Sequence, residues 1–75
     1  MSQQSELDLV GVGWPVSLLA YKRAINEIDR GNVLKILLKD PDTVNELKTI
    51  VKRSSDHIVG IKKTNDLYRI QIQKG

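Results

Sequence analysis

The stretch LDLVGVGWPVSLL, Leu7 to Leu19, joins two different hydrophobic patterns. In ELDLV, apolar residues alternate with acidic ones, which is the period of a half-buried β-strand. After Pro15 the apolar residues recur at helical spacing, as Leu18, Tyr21, Ala24, Ile25 and Ile28. Proline suits the first helical position because its missing N–H would have no partner there. The stretch therefore predicts a strand, a tight glycine turn and a helix from about Pro15 to Asp29 that is ended by Gly31.

Four further elements follow from the rest of the chain. The short branched run VLKILL, residues 33–38, predicts a central strand. In KDPDTVNELKTIVKR, Asp40 is predicted to cap a second helix and Pro41 to occupy its first position. The buried stripe of that helix is predicted to be Val44, Leu47, Ile50 and Val51. The segment HIVGIKKTNDLYRIQIQKG predicts two strands around a polar turn at 64–66, with Tyr68, Ile70 and Ile72 on one face.

The predicted order is βαβαββ in a single domain, residues 1–75, of which residues 1–5 are expected to be disordered. A strand–helix–strand crossover is right-handed and lays its helix over one face of the sheet. The polar alternation of the last strand indicates that the other face meets solvent. We therefore predict a two-layer α/β sandwich, in which two helices cover one face of a mixed four-stranded sheet.

Composition excludes several kinds of site. The chain has no cysteine and one histidine, so a disulfide, a thiolate nucleophile and a zinc site built by this chain are not predicted. The lone His57 is interpreted as a surface residue. We predict no cofactor, no metal and no catalytic residues. No apolar run approaches the roughly 18 residues that a membrane span needs, so a cytoplasmic location without membrane partners is expected.

The net charge of +3 is uneven along the sequence. Residues 1–38 carry four basic and four acidic side chains, whereas residues 39–75 carry eight basic and five acidic ones. The second half could therefore attract an anionic partner, and its candidate anion-binding residues are Lys48, Lys52 and Arg53. A solvated helix surface is the simpler interpretation of these charges.

The chain resembles the TusA/SirA family of small sulfur-carrier proteins, from about Leu7 to Gly75. The family pattern is Asp-x-x-Gly-x-x-Cys-Pro-x-Pro before the first helix, then a glycine before the second strand and Asp-Pro after it. The residues in step with this pattern are Asp8, Gly11, Pro15, Gly31, Asp40 and Pro41. The resemblance implies the family's fold, with Asp8, Gly31, Asp40 and Pro41 as structural residues, and protein partners of a sulfur-relay type.

Two departures bear on function. Trp14 stands where the family has its cysteine, and Ser17 stands where it has the second proline. The resemblance implies that this cysteine carries a persulfide sulfur, and an indole cannot do so. We therefore interpret the chain as a non-catalytic scaffold or regulator that has lost sulfur transfer. A partner would contact the rim formed by Gly11, Gly13, Trp14, Pro15 and Ser17.

Two alternatives stay open at the level of sequence. The helical wheel places Trp14 near the direction of Tyr21 and Ile25, so a core-packed indole competes with an exposed contact residue. The βαβαββ order also resembles the C-terminal domain of bacterial translation initiation factor three, which implies an RNA-binding module. The charges that would serve it are Lys48, Lys52, Arg53, Lys62, Lys63 and Arg69.

The pair Gly11 and Gly13 lacks the other residues of a phosphate-binding loop and indicates a tight turn instead.

Overall fold

The computed structural model describes residues 5–75. Its elements are β1 (Ser5–Asp8), α1 (Val16–Glu27), β2 (Val33–Leu38), α2 (Pro41–Lys52), β3 (His57–Thr64) and β4 (Leu67–Gln73), which confirms the βαβαββ order. Ser5 already belongs to β1, so the expected disorder does not extend to it. The other residues of that expectation, 1–4, lie outside the described part of the chain.

The four strands form one mixed sheet in the order β1-β2-β4-β3. β1 runs parallel to β2, whereas β4 is antiparallel to both β2 and β3. One face carries the fully buried strand residues, which are Leu34, Ile36, Leu38, Ile70 and Ile72. The helices add Tyr21, Ile25, Val44, Leu47 and Val51 to the same core cluster. The predicted two-layer α/β sandwich, with β2 as a central strand, is therefore confirmed.

Helix α2 begins as the sequence predicts. Asp40 is its N-cap, and one carboxylate oxygen accepts the backbone N–H of Asp42 at 3.1 Å. The other oxygen accepts the hydroxyl of Thr43 at 2.9 Å. Pro41 is the first helical residue. Local side-chain chemistry therefore fixes the start of this helix.

Both ends of α1 differ from the prediction. Pro15 is the N-cap residue, so the helix begins one residue later at Val16. The helix ends at Glu27, and Ile28 already has extended backbone angles. Gly31 lies beyond it with a φ of +88°, in the turn that leads to β2, so it does not end the helix as predicted.

The C-terminal end of α1 is held by the end of β4 instead. The ammonium group of Lys74 donates to the carbonyl oxygen of Ile28 at 2.7 Å and to that of Asn26 at 3.4 Å. The N–H of Gly31 donates to the carbonyl oxygen of Lys74 at 2.8 Å. A cation favours this end of a helix because the last carbonyls are unpaired there and the dipole is negative. A residue distant in sequence therefore replaces the expected glycine cap.

A buried tyrosine joins α1 to the loop between α2 and β3. The hydroxyl of Tyr21 donates to the carboxylate of Asp56 at 3.2 Å, and the residue is only 2% exposed. Asp56 also accepts the N–H of Gly75 at 3.0 Å. Burial, together with the negative charge of Asp56, raises the pKa of Tyr21 well above its ordinary value. The phenol is therefore a stable hydrogen-bond donor at neutral pH.

Replacing Leu47 by alanine tests the core. Leu47 is 2% exposed, so L47A should lower the free energy of unfolding by about 2–5 kcal/mol. The matched control is Leu19→Ala on α1, because Leu19 is 64% exposed and its loss should change stability by no more than about 0.5 kcal/mol. Urea unfolding measures both variants. Equal stabilities would contradict the assignment of the buried helix faces.

Replacing Tyr21 by phenylalanine tests the link to Asp56. The phenol of the unfolded chain ionises near a pKa of about 10, whereas the folded protein holds its proton to higher pH. Above that pH the unfolded state is therefore favoured, and stability should fall by up to about 1.4 kcal/mol per pH unit.

Y21F should show a shallower decline above pH 10 in urea unfolding followed as a function of pH. At pH 7 it should be less stable by about 1–3 kcal/mol, because Asp56 loses a donor. Identical slopes for the two proteins would contradict the raised pKa of Tyr21.

Candidate functional site

The turn between β1 and α1 is held by backbone hydrogen bonds. The carboxylate of Asp8 accepts the N–H of Val10 at 2.9 Å, and the N–H of Val12 donates to the carbonyl oxygen of Leu9 at 3.0 Å. Gly11 is the third residue of this turn and has a φ of +79°, which residues with a side chain rarely adopt. β1 therefore ends at Asp8 instead of continuing to Val10 as the alternation predicted.

Trp14 lies at the end of this turn, directly before Pro15, and the peptide bond between them is cis. Its side chain is 36% exposed and belongs neither to the buried core nor to the half-buried residues packed against it. The helical wheel does not apply to position 14, because α1 begins only at Val16. Of the two interpretations of the indole, the core-packed one is therefore wrong.

Trp14 belongs to a run of exposed apolar residues. Val10, Trp14, Val16 and Leu19 are all at least 36% exposed, and together they are named the Trp14 surface. Val16 and Leu19 lie three residues apart on α1 and therefore share one side of the helix. Both line a groove of about 460 Å³ between α1 and the edge strand β1. The sequence pattern indicates that Val16 and Leu19 are exposed, because both fall outside the buried stripe of α1.

Ser17 does not lie on the predicted rim. It is 2% exposed, and its hydroxyl has no hydrogen-bond partner within residues 5–75. Its backbone N–H donates to the carbonyl oxygen of Gly13 at 2.9 Å, which ties the first turn of α1 to the glycine turn. Gly11, Gly13 and Pro15 remain exposed beside Trp14.

A second groove separates the glycine turn from the start of α2. It has a volume of about 460 Å³ and is lined by residues 9–13 and 38–40. The fold thus brings Gly11 and Gly13 close to Asp40, although the sequence separates them by nearly thirty positions. Gly31 precedes β2 and therefore lies at the opposite end of that strand. The residues in step with the family pattern therefore lie at both ends of β2.

The predicted basic residues do not form one patch. Lys48, Lys52 and Arg53 belong to α2 and its C-terminal end, and Lys48 is half-buried. Lys62 and Arg69 lie opposite each other in the sheet. Lys63 is turned to the ring of Tyr68, with 5.2 Å between its ammonium nitrogen and the ring centroid. The helix cations and the sheet cations therefore belong to different layers, and this arrangement gives no support to an RNA-binding surface that uses all six.

The described residues give no support to a metal site, a histidine-based site or a membrane-spanning helix. Within residues 5–75, no three His, Cys, Asp or Glu side chains converge as metal ligands would. His57 is exposed at the start of β3, opposite Gln73. Neither α1 nor α2 combines the length and the apolar character that crossing a membrane requires.

Comparison with known proteins decides the family. The family model described as Sulfurtransferase TusA matches residues 5–74. This chain belongs to the TusA family. It is 26% identical over 69 residues to the sulfur carrier protein TusA of Allochromatium vinosum, covering 92% of this chain and 91% of that one. It is 27% identical to the putative sulfur carrier protein YrkI of Bacillus subtilis over the full length of both chains, 75 residues. It is 31% identical over 68 residues to the TusA of Buchnera aphidicola, covering 91% and 86%.

The absence of cysteine is the feature of this TusA-family chain that bears most on its function. The chain contains no cysteine, so no side chain of it can form a persulfide. The glycine turn, the start of α1 and the cap of α2 are nevertheless all present. This TusA-family member therefore has a well-defined turn before α1, with an indole and no thiol at position 14.

Replacing Trp14 by cysteine tests this architecture. The new thiol would precede the first turn of α1, where unpaired N–H groups and the helix dipole favour an anion. Its pKa should therefore fall below the roughly 8.5 of a free cysteine. A fall of about one unit would raise the thiolate fraction at pH 7 roughly eightfold.

Iodoacetamide alkylation at neutral pH measures the effect. Val59→Cys is the matched control, because Val59 is 51% exposed and lies on β3, away from any helix start. Faster reaction is expected for the thiol at position 14. Equal rates for the two thiols would show that the start of α1 does not activate this position.

Proposed function

We propose that this TusA-family chain is a non-catalytic binding protein of a sulfur-relay assembly, acting as a scaffold or regulator. It would dock protein partners through the Trp14 surface and carry no sulfur itself. The observation that supports this most directly is the exposed indole at the position where the family pattern has its cysteine. Because the chain has no cysteine at all, no other residue could take over the carrier role.

The composition of the Trp14 surface suits protein binding. Tryptophan is enriched among the residues that dominate binding energy at interfaces, because it buries a large rigid area at small entropic cost. Exposed Val16 and Leu19, at 59% and 64%, extend the apolar area along α1. In a small protein with 28% charged residues, such a grouping of apolar side chains is typical of an interaction site.

In the proposed mode of action, the chain occupies a partner's docking site but performs no sulfur transfer. A carrier receives sulfur when its cysteine reaches the partner's donor sulfur. A chain that docks in the same way and presents an indole there has no nucleophile to offer. It would therefore hold a relay partner in place or compete with a cysteine-bearing carrier for the same docking surface.

The experiment is affinity capture under reducing conditions, scored by mass spectrometry for cysteine desulfurases, rhodanese-like proteins and sulfur-reductase-like proteins. Trp14→Ala and Leu19→Ser should each weaken the capture of such a partner about tenfold, as expected for side chains worth about 1.4 kcal/mol in binding. Lys52→Ser is the control, because it alters an exposed side chain on α2. Unchanged recovery by both Trp14-surface variants would refute the proposed interface.

A second measurement addresses sulfur transfer directly. The purified chain is incubated with a desulfurase and cysteine, and its intact mass is compared with that of Trp14→Cys. The unmodified chain should gain no sulfur. A stable sulfur adduct on it would refute the non-catalytic assignment.

A further inference from the structure

The sheet face that points away from the helices carries an uneven charge. This open face is defined by residues that alternate with the buried strand residues, and its cations are Lys35, Lys62 and Arg69. Its acidic residues, Glu6 and Asp8, both lie on β1 at one edge. The half formed by β2, β4 and β3 is therefore positive and the β1 edge is negative.

The cations of the open face lie close together. Lys62 is directly opposite Arg69 across β3 and β4, and Leu37 is opposite Arg69 across β2 and β4. Lys35 is two residues from Leu37 on β2, so it is a diagonal neighbour of Arg69. Like charges directly opposite each other destabilise a sheet, because their side chains are only about 5 Å apart. The repulsion between Lys62 and Arg69 therefore lowers stability, and both side chains lie outside the buried core.

No acidic side chain within residues 5–75 forms a salt bridge with these cations. The salt bridge found there joins Arg23 to Glu27 on α1, at 3.9 Å. Asp66 lines a neighbouring groove together with Arg69, but the two form no salt bridge. Glu6 is opposite Lys35 on the adjacent strand and is likewise not bonded to it. Glu6 therefore offsets part of the charge of Lys35, whereas the charges of Lys62 and Arg69 are available to a partner.

The absence of a side chain at Gly60 leaves room for the side chain of Gln71 on this face. Gly60 lies opposite Gln71, and a Cβ atom at Gly60 would come within 2.8 Å of the side-chain oxygen of Gln71. A groove beside these two residues has a volume of about 320 Å³ and is lined by Lys35, Gly60, Ile61, Lys62, Arg69 and Gln71. Its lining includes cations, an amide and apolar carbon but no acid.

We propose that this open-face groove binds an acidic segment of a partner protein, with carboxylates on Lys35, Lys62 and Arg69. Arginine pairs with carboxylates through two parallel hydrogen bonds, and lysine adds a point charge. A nucleic acid fits less well, because the lining of the groove has no aromatic side chain for base stacking. The exposed ring of His57, opposite Gln73 at the start of β3, is not part of that lining. The acidic β1 edge would also repel a continuous phosphate backbone, whereas separate carboxylates need to reach only the cations.

The groove lies apart from the Trp14 surface. Its cations are on β2, β4 and β3, whereas the Trp14 surface follows the glycine turn and α1 beside the other edge strand, β1. The two surfaces could therefore be occupied at once. An acidic partner on the sheet and an apolar contact at Trp14 would make this chain a bridge between two binding partners.

The test uses fluorescence anisotropy of a labelled glutamate-rich peptide. Controls are the same peptide with glutamine in place of glutamate and a single-stranded RNA that carries the same number of charges. Lys62→Gln combined with Arg69→Gln should weaken binding of the acidic peptide about tenfold, the effect of two lost exposed ion pairs. The matched control is Lys22→Gln combined with Arg30→Gln, which removes one exposed lysine from α1 and one exposed arginine from the segment that follows it. It should change binding less than about twofold, and rising salt should weaken binding by the unaltered chain.

A comparison of the two double variants distinguishes a specific groove from general attraction to a basic chain. Equal losses in both would show attraction by net charge alone and would overturn the proposal. Absence of peptide binding, or tighter binding of the RNA with loss in the Lys62/Arg69 variant, would also overturn it. Trp14→Ala should leave peptide binding unchanged, so failure of the Trp14 interface and failure of this groove give different results.

Discussion

Where β2 pairs with β4, Leu34 lies opposite Ile72 and Ile36 lies opposite Ile70, and all four side chains are at most 1% exposed. A chain of this size buries only about 60% of its unfolded surface, so it has apolar residues for one core and not for two. Both helices therefore cover the same side of the sheet. A slip of one residue in this register would turn the buried set to solvent and remove the surface on which α1 and α2 pack. The positions of β1, the glycine turn and the open face all depend on this strand pair.

The glycine turn is independent of the chemistry for which the TusA family is named. Its shape comes from the Asp8 carboxylate on the Val10 amide, the positive φ of Gly11 and the hydrogen bond from Ser17 to Gly13. None of these contacts involves the side chain of Trp14. The fold around position 14 therefore does not depend on which side chain stands there. Because these contacts use the backbone and Asp8, a chain without cysteine can have this turn and match the family over residues 5–74.

The one-sided core also leaves two surfaces of different character. Near the β1 edge, the Trp14 surface is apolar and follows the start of α1. On the uncovered side of the sheet, Lys62 and Arg69 face each other and line a groove together with Gly60 and Gln71. Apolar contacts contribute mainly to affinity, whereas complementary charges contribute more to orientation and rate of association. A small chain that has no reactive group can therefore still organise an assembly, because its surfaces recognise different chemistry.

The order of the elements, the cap of α2 by Asp40 and the inward side of β4 were determined by the sequence itself, because each depends on residues close together in the chain. Periodicity reports which side of an element is apolar, and a capping side chain reports where a helix begins. Tertiary structure decided the rest. The end of α1 is set by Lys74, the exposure of Trp14 by a turn that precedes the helix, and the separation of the basic residues by the two layers. The local sequence pattern could not predict these features. Each depends on how segments that are far apart in the chain lie relative to one another in the folded protein.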